Sequence, residues 1–387
     1  MWAGLRRWQI GNATTVSRVL AGIMSIVRIA EKAGVSSSTV SRVINNRPRV
    51  SRRATLAVRA AMREMDYTPS DNRPGPKLGA RGAPRAPTIA MFLFGPPDLM
   101  TAPAFGELIK GVSIGASELG VNFVFHHVRD SAALPSLLSN GPVKGILMHS
   151  SRPDAATRKL LEPYPTVWLM GNRYRPAWGD QVMPDPYEIG TKAGQYLISK
   201  GHRHLAYLNL DRGHWPFRVA SQGFRETAFE ADLACDIIER ESRQSDYVDW
   251  LSSDIRFGDE LVARLLKLPT RPTGLFIADD MQVAVLQPAL LRAGVKIGPA
   301  DVPGGVAGGV EVISCNNERP YLIGLSPKPA DIDIHVRAVG QRGVERLLWR
   351  IEHPDVAERI VTSIFPSLID HDGNPLDVNL RAKKETP

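Results

Sequence analysis

The sequence predicts a small all-α domain, a linker and a larger α/β body that contains two parallel sheets. Three observations support this fold class. Residues 25–67 contain three short helical patterns, residues 69–87 are crowded with Pro, Gly and Arg, and strand patterns alternate with helical patterns after Thr88. Strands that alternate with helices are typical of βαβ units, whose strands pair in parallel.

The chain has 387 residues, which is too long for one ordinary domain. We divide it into a basic N-terminal extension at residues 1–24, the helical domain at 25–68, a hinge or linker at 69–88 and the body at 89–387. Met24 directly precedes the first well-patterned helix, and we therefore hypothesise that translation starts at Met24 and leaves residues 1–23 untranslated.

The body begins with the apolar run Ile89–Phe94, which predicts a strand buried on both faces. Further strands are predicted at 121–125, Gly145–His149, Thr166–Met170, 204–210, Gly274–Ala278 and Glu311–Ser314, and helices near 105–119, 131–139, 154–162, 187–200, 219–232, 258–268 and 281–293. The first of these helices has an apolar stripe that consists of Phe105, Leu108, Ile109, Val112, Ala116 and Leu119. The strands are too many for one compact sheet, so we expect two Rossmann-like α/β subdomains with the first crossover near residue 185. A ligand is expected in the crevice at the carboxyl ends of the strands.

The positive charge of the chain is concentrated in its first fifth. Residues 1–88 contain 16 Lys and Arg against 4 Asp and Glu, whereas the remainder contains 32 against 36. A basic segment on a mildly acidic body is typical of nucleic-acid-binding proteins. A membrane-surface helix would need a wide apolar face with Trp or Phe anchors, which residues 25–67 lack.

Other classes of protein fit the composition poorly. The chain contains no run of 18 apolar residues and no signal-peptide pattern, so we expect no membrane partner and a cytoplasmic, nucleoid-associated location. Its two cysteines, Cys235 and Cys315, have no metal-ligand spacing, and we interpret them as buried apolar side chains in a reducing compartment. We expect no metal and no cofactor.

Three patterns resemble catalytic or metal sites, and each has a simpler structural interpretation. The segment GVSIG at 111–115 matches the G-x-S-x-G pattern of hydrolases, but it lies inside a predicted helix rather than at a sharp strand-to-helix turn. His202 and His204 have no metal partners at useful spacing, and we interpret them as caps of a helix end. Asp331 and Asp333 lie in a predicted Pro-rich loop. We therefore expect no enzyme.

The helical patterns of residues 25–67 have the geometry of a helix-turn-helix domain. Gly34 is expected to end the first helix in a left-handed cap, Ser36 is suited to cap the second helix at 37–44, and Ser51 to cap the third. The residues expected to face the core are Ile26, Ile29, Ala30, Ala33, Val40, Val43, Ile44, Leu56, Ala57, Ala60 and Ala61. In such a domain the second helix enters the major groove of DNA. The alternative is a small helical bundle with a solvated polar face.

The segment AEKAGVSSSTVSRVINNRPRVSRRATLAVRAAMREMDYTP closely resembles the headpiece of the lac-repressor (LacI/GalR) family. The specific matches are Ala-Gly-Val-Ser at 33–36, Thr-Val-Ser-Arg-Val at 39–43, Asn45, Val50-Ser51 and Tyr67-Thr-Pro69. The resemblance implies a periplasmic-binding-protein-like effector domain that dimerises. It also implies that Ser37, Ser38 and Arg42 read bases, and that Ser36, Thr39, Ser41 and Asn45 contact the DNA backbone.

The linker departs from the family pattern. Members usually have a short helix here whose leucine enters the minor groove, but Pro74-Gly-Pro76 breaks any helix, and Leu78 stands about two places later than that leucine. One interpretation is that Arg73–Lys77 lies extended in the minor groove with Leu78 beside it, as basic arms do. The other is a solvated, flexible linker.

The resemblance also implies candidate effector-binding residues in the body. Asp279 stands where an asparagine commonly binds effector, and Asn316 where an aspartate does. Trp250 loosely matches a stacking aromatic residue, and Asn172 follows a predicted strand. Ala220 occupies a position where the family often has arginine, and Arg218 is two residues away, so a ligand carboxylate or phosphate is not assured.

These features together predict a sequence-specific transcription regulator, with repression expected, that binds a pseudo-palindromic operator as a homodimer under control of a small, carbohydrate-related effector. The alternative is a sugar-binding or sugar-processing α/β protein with an incidental basic arm.

Overall fold

The computed structural model describes residues 28–44, 50–65, 86–95, 100–128, 134, 138, 143–150, 153–171, 176, 178–241, 256–298 and 309–377. The chain forms two compact units, Met1–Pro84 and Arg85–Pro387. Among the helices in these ranges, none is long and apolar enough to cross a membrane.

The first unit contains helical residues 28–33 and the helices Ser37–Ile44 and Arg52–Glu64. Gly34 has a φ of +64°, and the amide of Val35 donates to the carbonyl oxygen of Ala30 at 3.0 Å, which ends the first helix in a left-handed cap. Ser36 Oγ accepts a hydrogen bond from the amide of Thr39, and Ser51 Oγ one from the amide of Ala54. The three capping residues predicted for these helices are therefore confirmed.

The core of this unit differs from the prediction in the third helix. Ile29, Ala30, Val40 and Val43 are buried as expected, and from the third helix Val58 and Ala61 are buried with them. Leu56 was expected in the core but is 60% exposed. The third helix has alanines on several faces, so its sequence pattern is compatible with more than one orientation of the helix about its own axis. In the structure the helix is oriented so that the bulkier Val58 packs in the core.

The second unit consists of two lobes, each built on a parallel sheet. The strands of the first lobe are β1 Thr88–Phe94, β2 Asn122–Val128, β3 Val143–Ser150, β4 Thr166–Leu169, β5 Asp180–Pro184 and β12 Val361–Ile364. Those of the second are β6 His204–Asn209, β7 Ala234–Glu239, β8 Gly274–Ile277, β9 Lys296–Ile297 and β10 Gly309–Ile313. The six strands of the first lobe lie in the order β12-β5-β4-β3-β1-β2, and the five of the second in the order β7-β6-β8-β10-β9. The expectation of two α/β subdomains is confirmed.

The helices of this unit are Pro103–Glu118, Ala155–Leu161, Pro186–Ser199, Trp215–Glu230, Arg256–Leu266, Asp280–Arg292, Arg319–Leu322 and Val336–Glu352. The predicted strands and helices agree with these bounds to within a few residues, except that the helix expected near 131–139 lies mostly outside the described residues. The helix Val336–Glu352 and the strands β5 and β7 were not predicted. Leu119 was placed on the apolar stripe of its helix but is 46% exposed.

The chain crosses between the lobes where short strands pair. Residues 186–199 follow β5 and pack in the second lobe, and the helix Val336–Glu352 packs back in the first. Next to the second lobe, β11 Asp331–Asp333 contacts the helix Pro186–Ser199 and pairs antiparallel with β13 Ser367–Ile369. Asp331 and Asp333 therefore belong to a strand, and the prediction of a Pro-rich loop at these residues is wrong.

The segment 111–115 is a helix-packing surface. A Cβ atom at Gly111 would lie 2.1 Å from the carbonyl oxygen of Arg337, and a Cβ atom at Gly340 would lie 2.5 Å from that of Leu108. The glycines therefore let the helices Pro103–Glu118 and Val336–Glu352 approach closely. Ser113 lies inside the first of these helices and is exposed, so it has no nucleophile-elbow geometry.

A buried polar network joins the strands of the second lobe. His202 is fully buried, with Nδ1 2.9 Å from Thr273 Oγ1 and Nε2 3.0 Å from Glu311 Oε2. The hydroxyl of Tyr196 donates to Glu311 Oε1 at 2.6 Å, so that both oxygens of this buried carboxyl group have partners. His204 Nε2 lies 2.6 Å from Asp236 Oδ2. The side chains of both histidines bind carboxyl groups. The amide of His202 also donates to the carbonyl oxygen of Leu197 at 3.1 Å, at the end of the helix Pro186–Ser199, so the predicted helix cap is present in the backbone of His202 and not in the two side chains.

Candidate ligand cleft and helix-turn-helix surface

A cavity of about 150 Å³ lies between the two lobes of the body, at the carboxyl ends of strands from both sheets. Most of its lining is apolar, and its polar side chains include those of His149, His214, Asp279, Asn316 and Glu318. This position agrees with the expected crevice of a doubly wound α/β fold. The volume is similar to that of a cavity that holds one six-membered ring.

The lobes approach each other closely at one side of the cavity. A Cβ atom at Gly171, which follows β4 in the first lobe, would lie 2.6 Å from Pro216 Cγ in the second lobe. Both residues line the cavity. A larger residue at 171 would therefore separate the lobes.

Asp279 lies directly after β8 and caps the helix Asp280–Arg292. Its Oδ1 accepts a hydrogen bond from the amide of Gln282 at 2.8 Å. Burial, and secondarily the charges of Glu318 and Asp211, raise the pKa of Asp279 to about 7. Asp279 was predicted to bind effector, and the structure places it in the lining of the cavity.

Asn316 follows β10 and also lines the cavity, and its binding of an effector stays a prediction. Its φ of 109° belongs to a backbone region that asparagine tolerates better than most residues. Its amide donates to the carbonyl oxygen of Ile332 at 2.9 Å, and its Nδ2 donates to Glu318 Oε2 at 3.2 Å. The side chain of Asn316 therefore orients the carboxyl group of Glu318.

Glu318 links the two lobes at the edge of the cavity. Its Oε1 accepts a hydrogen bond of 2.9 Å from the amide of Ala104, in the first turn of the helix Pro103–Glu118. The partial positive charge of a helix N-terminus favours a carboxylate there, although burial raises the pKa of Glu318. Sequence reasoning missed Glu318 because it lies five residues beyond the end of β10, in a loop without a recognisable motif.

Neither residue 220 nor residue 218 provides a cationic contact to the cavity. Ala220 lines the cavity. Arg218 donates instead to the carbonyl oxygens of Arg212 and Gly213, at 3.1 and 3.2 Å, and so stabilises the turn before its own helix. Among the cavity-lining residues that the structure describes, none is Lys or Arg.

The second helix of the helix-turn-helix unit presents small hydroxyl groups around one arginine. Ser37, Ser38 and Arg42 are exposed, whereas Thr39 and Ser41 are half-buried. Ser36 Oγ lies 2.8 Å from Ser38 Oγ and 2.9 Å from Thr39 Oγ1, so these hydroxyl groups also hold each other at the start of the helix.

Some predicted site residues lie outside the described residues. They are Asn45, Arg73, Lys77 and Leu78 among the expected DNA contacts, and Asn172 and Trp250 among the expected effector contacts. Their roles stay predictions.

A helix-turn-helix unit on the same chain as a two-lobed α/β body with a ligand-sized cavity defines a DNA-binding regulator of the ligand-sensing class. The family profile "Bacterial regulatory proteins, lacI family" matches residues 25–70. The profile "Periplasmic binding protein-like domain" matches residues 195–372. The chain is therefore similar to the lacI family of bacterial regulatory proteins over its helix-turn-helix unit, and to periplasmic-binding-protein-like domains over much of its body.

Two curated relatives align with this chain over nearly their whole length. The chain is 27% identical over 338 residues to the ribose operon repressor of Escherichia coli K12, which covers 86% of this chain and 94% of the relative. It is 26% identical over 354 residues to the HTH-type transcriptional repressor PurR of Mannheimia succiniciproducens, covering 89% and 97%. Both relatives are named as repressors.

Several solved structures have a similar fold at lower sequence identity. The complex of the transcriptional regulator CelR with cellobiose has a TM-score of 0.57 at 23% identity and covers 89% of this chain and 98% of that chain. The lac repressor bound to ONPG in its repressed state has a TM-score of 0.56 at 19% identity, with 89% and 97% covered. These likenesses show that the fold is shared.

Proposed function

We propose that this protein is a transcriptional repressor that binds a pseudo-palindromic operator as a homodimer and responds to a small, uncharged sugar-like effector. It acts in the cytoplasm, on the nucleoid, and catalyses no reaction. The observation that carries the proposal is the joining, in one chain, of a helix-turn-helix unit to a body with a cavity at the carboxyl ends of both sheets.

The residues that line the cavity support a sugar-like ligand. An apolar lining with a few fixed polar groups suits a ring that has carbon–hydrogen faces and hydroxyl edges. Asp279 and Asn316 are proposed to bind the effector, since both line the cavity and each has a hydrogen-bonded, fixed orientation. Asn172 and Trp250 are proposed as further contacts on the resemblance alone. A relative named as the ribose operon repressor and a similar fold solved with cellobiose favour the same class of ligand.

The exposed face of the helix Ser37–Ile44 supports the assignment of DNA contacts. Arg42 is long enough to bind a guanine edge with two hydrogen bonds, and we propose that Ser37 and Ser38 read bases beside it. Ser36, Thr39, Ser41 and Asn45 are proposed to contact the DNA backbone. Because serine side chains reach few base edges, DNA shape contributes to specificity.

The linker is proposed to take part in DNA binding through Arg73 and Lys77, with Leu78 beside them. Two prolines in this segment favour extended backbone, which suits a basic arm in the minor groove. Replacement of both Arg73 and Lys77 by Ala should reduce the salt dependence of operator binding and its preference for A·T flanks. An unchanged salt slope and preference would show that the segment is only a linker.

Dimerisation is proposed because the operator of such a regulator is two-fold symmetric. A structure of similar fold is described as a lac repressor dimer bound to operator. In this chain Leu291 and Ile323 are 48% and 80% exposed on neighbouring segments of the second lobe, as expected for part of an interface. Sedimentation equilibrium of the full chain checks this, and a monomer at micromolar concentration would contradict it.

The proposal is tested by operator binding of purified protein. Fluorescence anisotropy with a DNA fragment selected from the genome should show that Arg42→Ala weakens binding by about 1–3 kcal/mol and relaxes specificity at one base pair. Arg63→Ala is the matched control, because Arg63 is an exposed arginine of the third helix and its loss removes the same charge. Equal effects of the two substitutions would refute the role of the second helix.

A second experiment discriminates the alternative, a sugar protein with an incidental basic arm. Cells that express only residues 86–387 should lose regulation completely, since no DNA-binding unit remains. Full biological function of this truncated chain would refute the regulator assignment and favour the alternative.

A further inference from the structure

His149 lies at the carboxyl end of β3, in the middle of the first sheet, and lines the cavity. Its side chain is half-buried. The imidazole ring stacks on Phe105, with ring centroids 6.0 Å apart and planes 21° apart, and Phe105 in turn packs against Phe125. The position of the ring is therefore held by aromatic neighbours, and the effector residues proposed above do not include it.

The hydrogen bond of His149 determines which ring nitrogen carries the proton. Nδ1 lies 3.3 Å from the carbonyl oxygen of Leu169 in the neighbouring strand. A carbonyl oxygen only accepts, so Nδ1 must donate, and in a neutral imidazole Nε2 then keeps its lone pair. Burial lowers the pKa of His149 to about 4, so the ring is neutral at the pH of the cell.

Nε2 of His149 makes no hydrogen bond with any residue that the structure describes. Nε2 of His149 is also not one of the fully buried side-chain atoms that lack a hydrogen-bond partner. A half-buried, cavity-lining ring whose Nδ1 is bonded to β4, and whose Nε2 has no partner among the described residues, offers a fixed hydrogen-bond acceptor. The natural partner of such an acceptor is a hydroxyl group.

The opposite wall of the cavity excludes negative charge. The carboxyl groups of Asp279 and Glu318 line it, and the described lining contains no Lys or Arg to offset them. A phosphate or carboxylate on the ligand would lose its hydration without a counter-charge, and the ionised fraction of the two carboxyl groups, whose pKa values are raised by burial, would repel it. Ala220 offers no cationic contact either.

We propose that His149 is a specificity-determining residue of the cleft, whose Nε2 accepts a hydrogen bond from a hydroxyl group of an uncharged, single-ring ligand, and that the cleft rejects phosphorylated or carboxylated forms of that ligand. The inference rests on the proposed function, since it concerns the effector of that site. Sequence reasoning missed His149 because it reads as the last residue of a buried strand.

The protonation of His149 can be measured without any ligand. Nitrogen chemical shifts of histidine-labelled full-length protein, with the signal assigned by its loss in His149→Gln, should show a proton on Nδ1 and none on Nε2. The signal should stay unchanged between about pH 8 and about pH 5.5, a range in which an ordinary histidine titrates. A proton on Nε2, or titration within this range, would overturn the assignment of Nε2 as an acceptor.

The selectivity is measured with D-ribose and D-ribose 5-phosphate as a matched pair, through the shift in thermal midpoint of the full chain. D-ribose should stabilise the protein more than its phosphate, and His149→Leu should weaken D-ribose binding about tenfold or more, because a ligand hydroxyl loses its partner. His149→Gln, which keeps an acceptor oxygen, should bind more tightly than His149→Leu.

The binding results test separately the ligand selectivity of the cleft, the role of His149 and the sugar-like nature of the effector. Tighter binding of the phosphate than of D-ribose would overturn the proposed selectivity while leaving the regulator intact. If His149→Leu lowers the midpoint of the free protein but leaves D-ribose affinity unchanged, the residue is structural and the inference fails. If neither sugar shifts the midpoint, the sugar-like part of the proposed function fails, and the nitrogen spectra still decide the state of His149.

Discussion

Replacement of Gly111 by Ala is expected to destabilise the body through one contact between backbones. The added Cβ would lie 2.1 Å from the carbonyl oxygen of Arg337, whereas ordinary contacts begin near 3.4 Å. The helix Val336–Glu352 would therefore have to move by about 1.3 Å, against the close packing of protein interiors. Overpacking of this kind costs about 1–3 kcal/mol.

The matched control is Gly106→Ala in the same helix, where an added Cβ meets nothing within 4 Å. Removing a helical glycine at an open position should stabilise the protein by about 0.5–1 kcal/mol. Urea unfolding of both variants, monitored by far-UV circular dichroism, measures the difference directly. If Gly111→Ala is as stable as Gly106→Ala, the close approach of the two helices is not present in solution and the reasoning is refuted.

Three further substitutions test other parts of the structure. Asp180→Asn removes a buried carboxylate whose oxygens bind Arg346 and Arg350 at 2.6–3.0 Å, and should cost about 3–5 kcal/mol in urea unfolding. Hydrogen bonds from these arginines and from the amide of Ile360 outweigh burial and lower the pKa of Asp180, so its stabilising effect should persist above pH 3.8 and disappear as the pH falls below that value. Asp279→Asn keeps a capping side chain but removes a group whose pKa is raised to about 7, so the variant should lose the decline in stability expected between pH 3.8 and about pH 7. An unchanged pH profile of Asp279→Asn would contradict that pKa. Ser51→Ala should destabilise the helix-turn-helix unit by about 1 kcal/mol in thermal unfolding, with exposed Ser37→Ala as control.

Local chemistry made the helix-turn-helix unit predictable. Gly34, Ser36 and Ser51 end or begin helices because of their own backbone freedom or hydroxyl groups, and these choices depend on a few neighbouring residues. The exposed Leu56 shows where this reasoning stops, since the rotation of an alanine-rich helix depends on the partner it packs against. The apolar strands of the body were predictable for a similar reason, because a run such as Ile89–Phe94 is buried on both faces.

The parts that were missed depend on contacts between distant segments. The helix Val336–Glu352 contains Gly340 and Gly343, which weaken a helical pattern in the sequence but are needed where the helix meets Leu108 and Leu169. The strand β5 contains Asp180 and Gln181, which are polar in sequence but buried in the fold. In the cavity, Asp279 and Asn316 were found by resemblance, whereas His149 and Glu318 become visible only when the two sheets are brought together.

The central claim, that this chain regulates transcription by binding specific DNA through its second helix, is tested most directly by mapping its binding sites across the genome. Cross-linking and sequencing of bound DNA should give a small set of inverted-repeat sites next to genes of sugar metabolism. These sites should lose occupancy with Arg42→Ala and keep it with Arg63→Ala. Absence of discrete sites, or a map that Arg42→Ala leaves unchanged, would contradict the account.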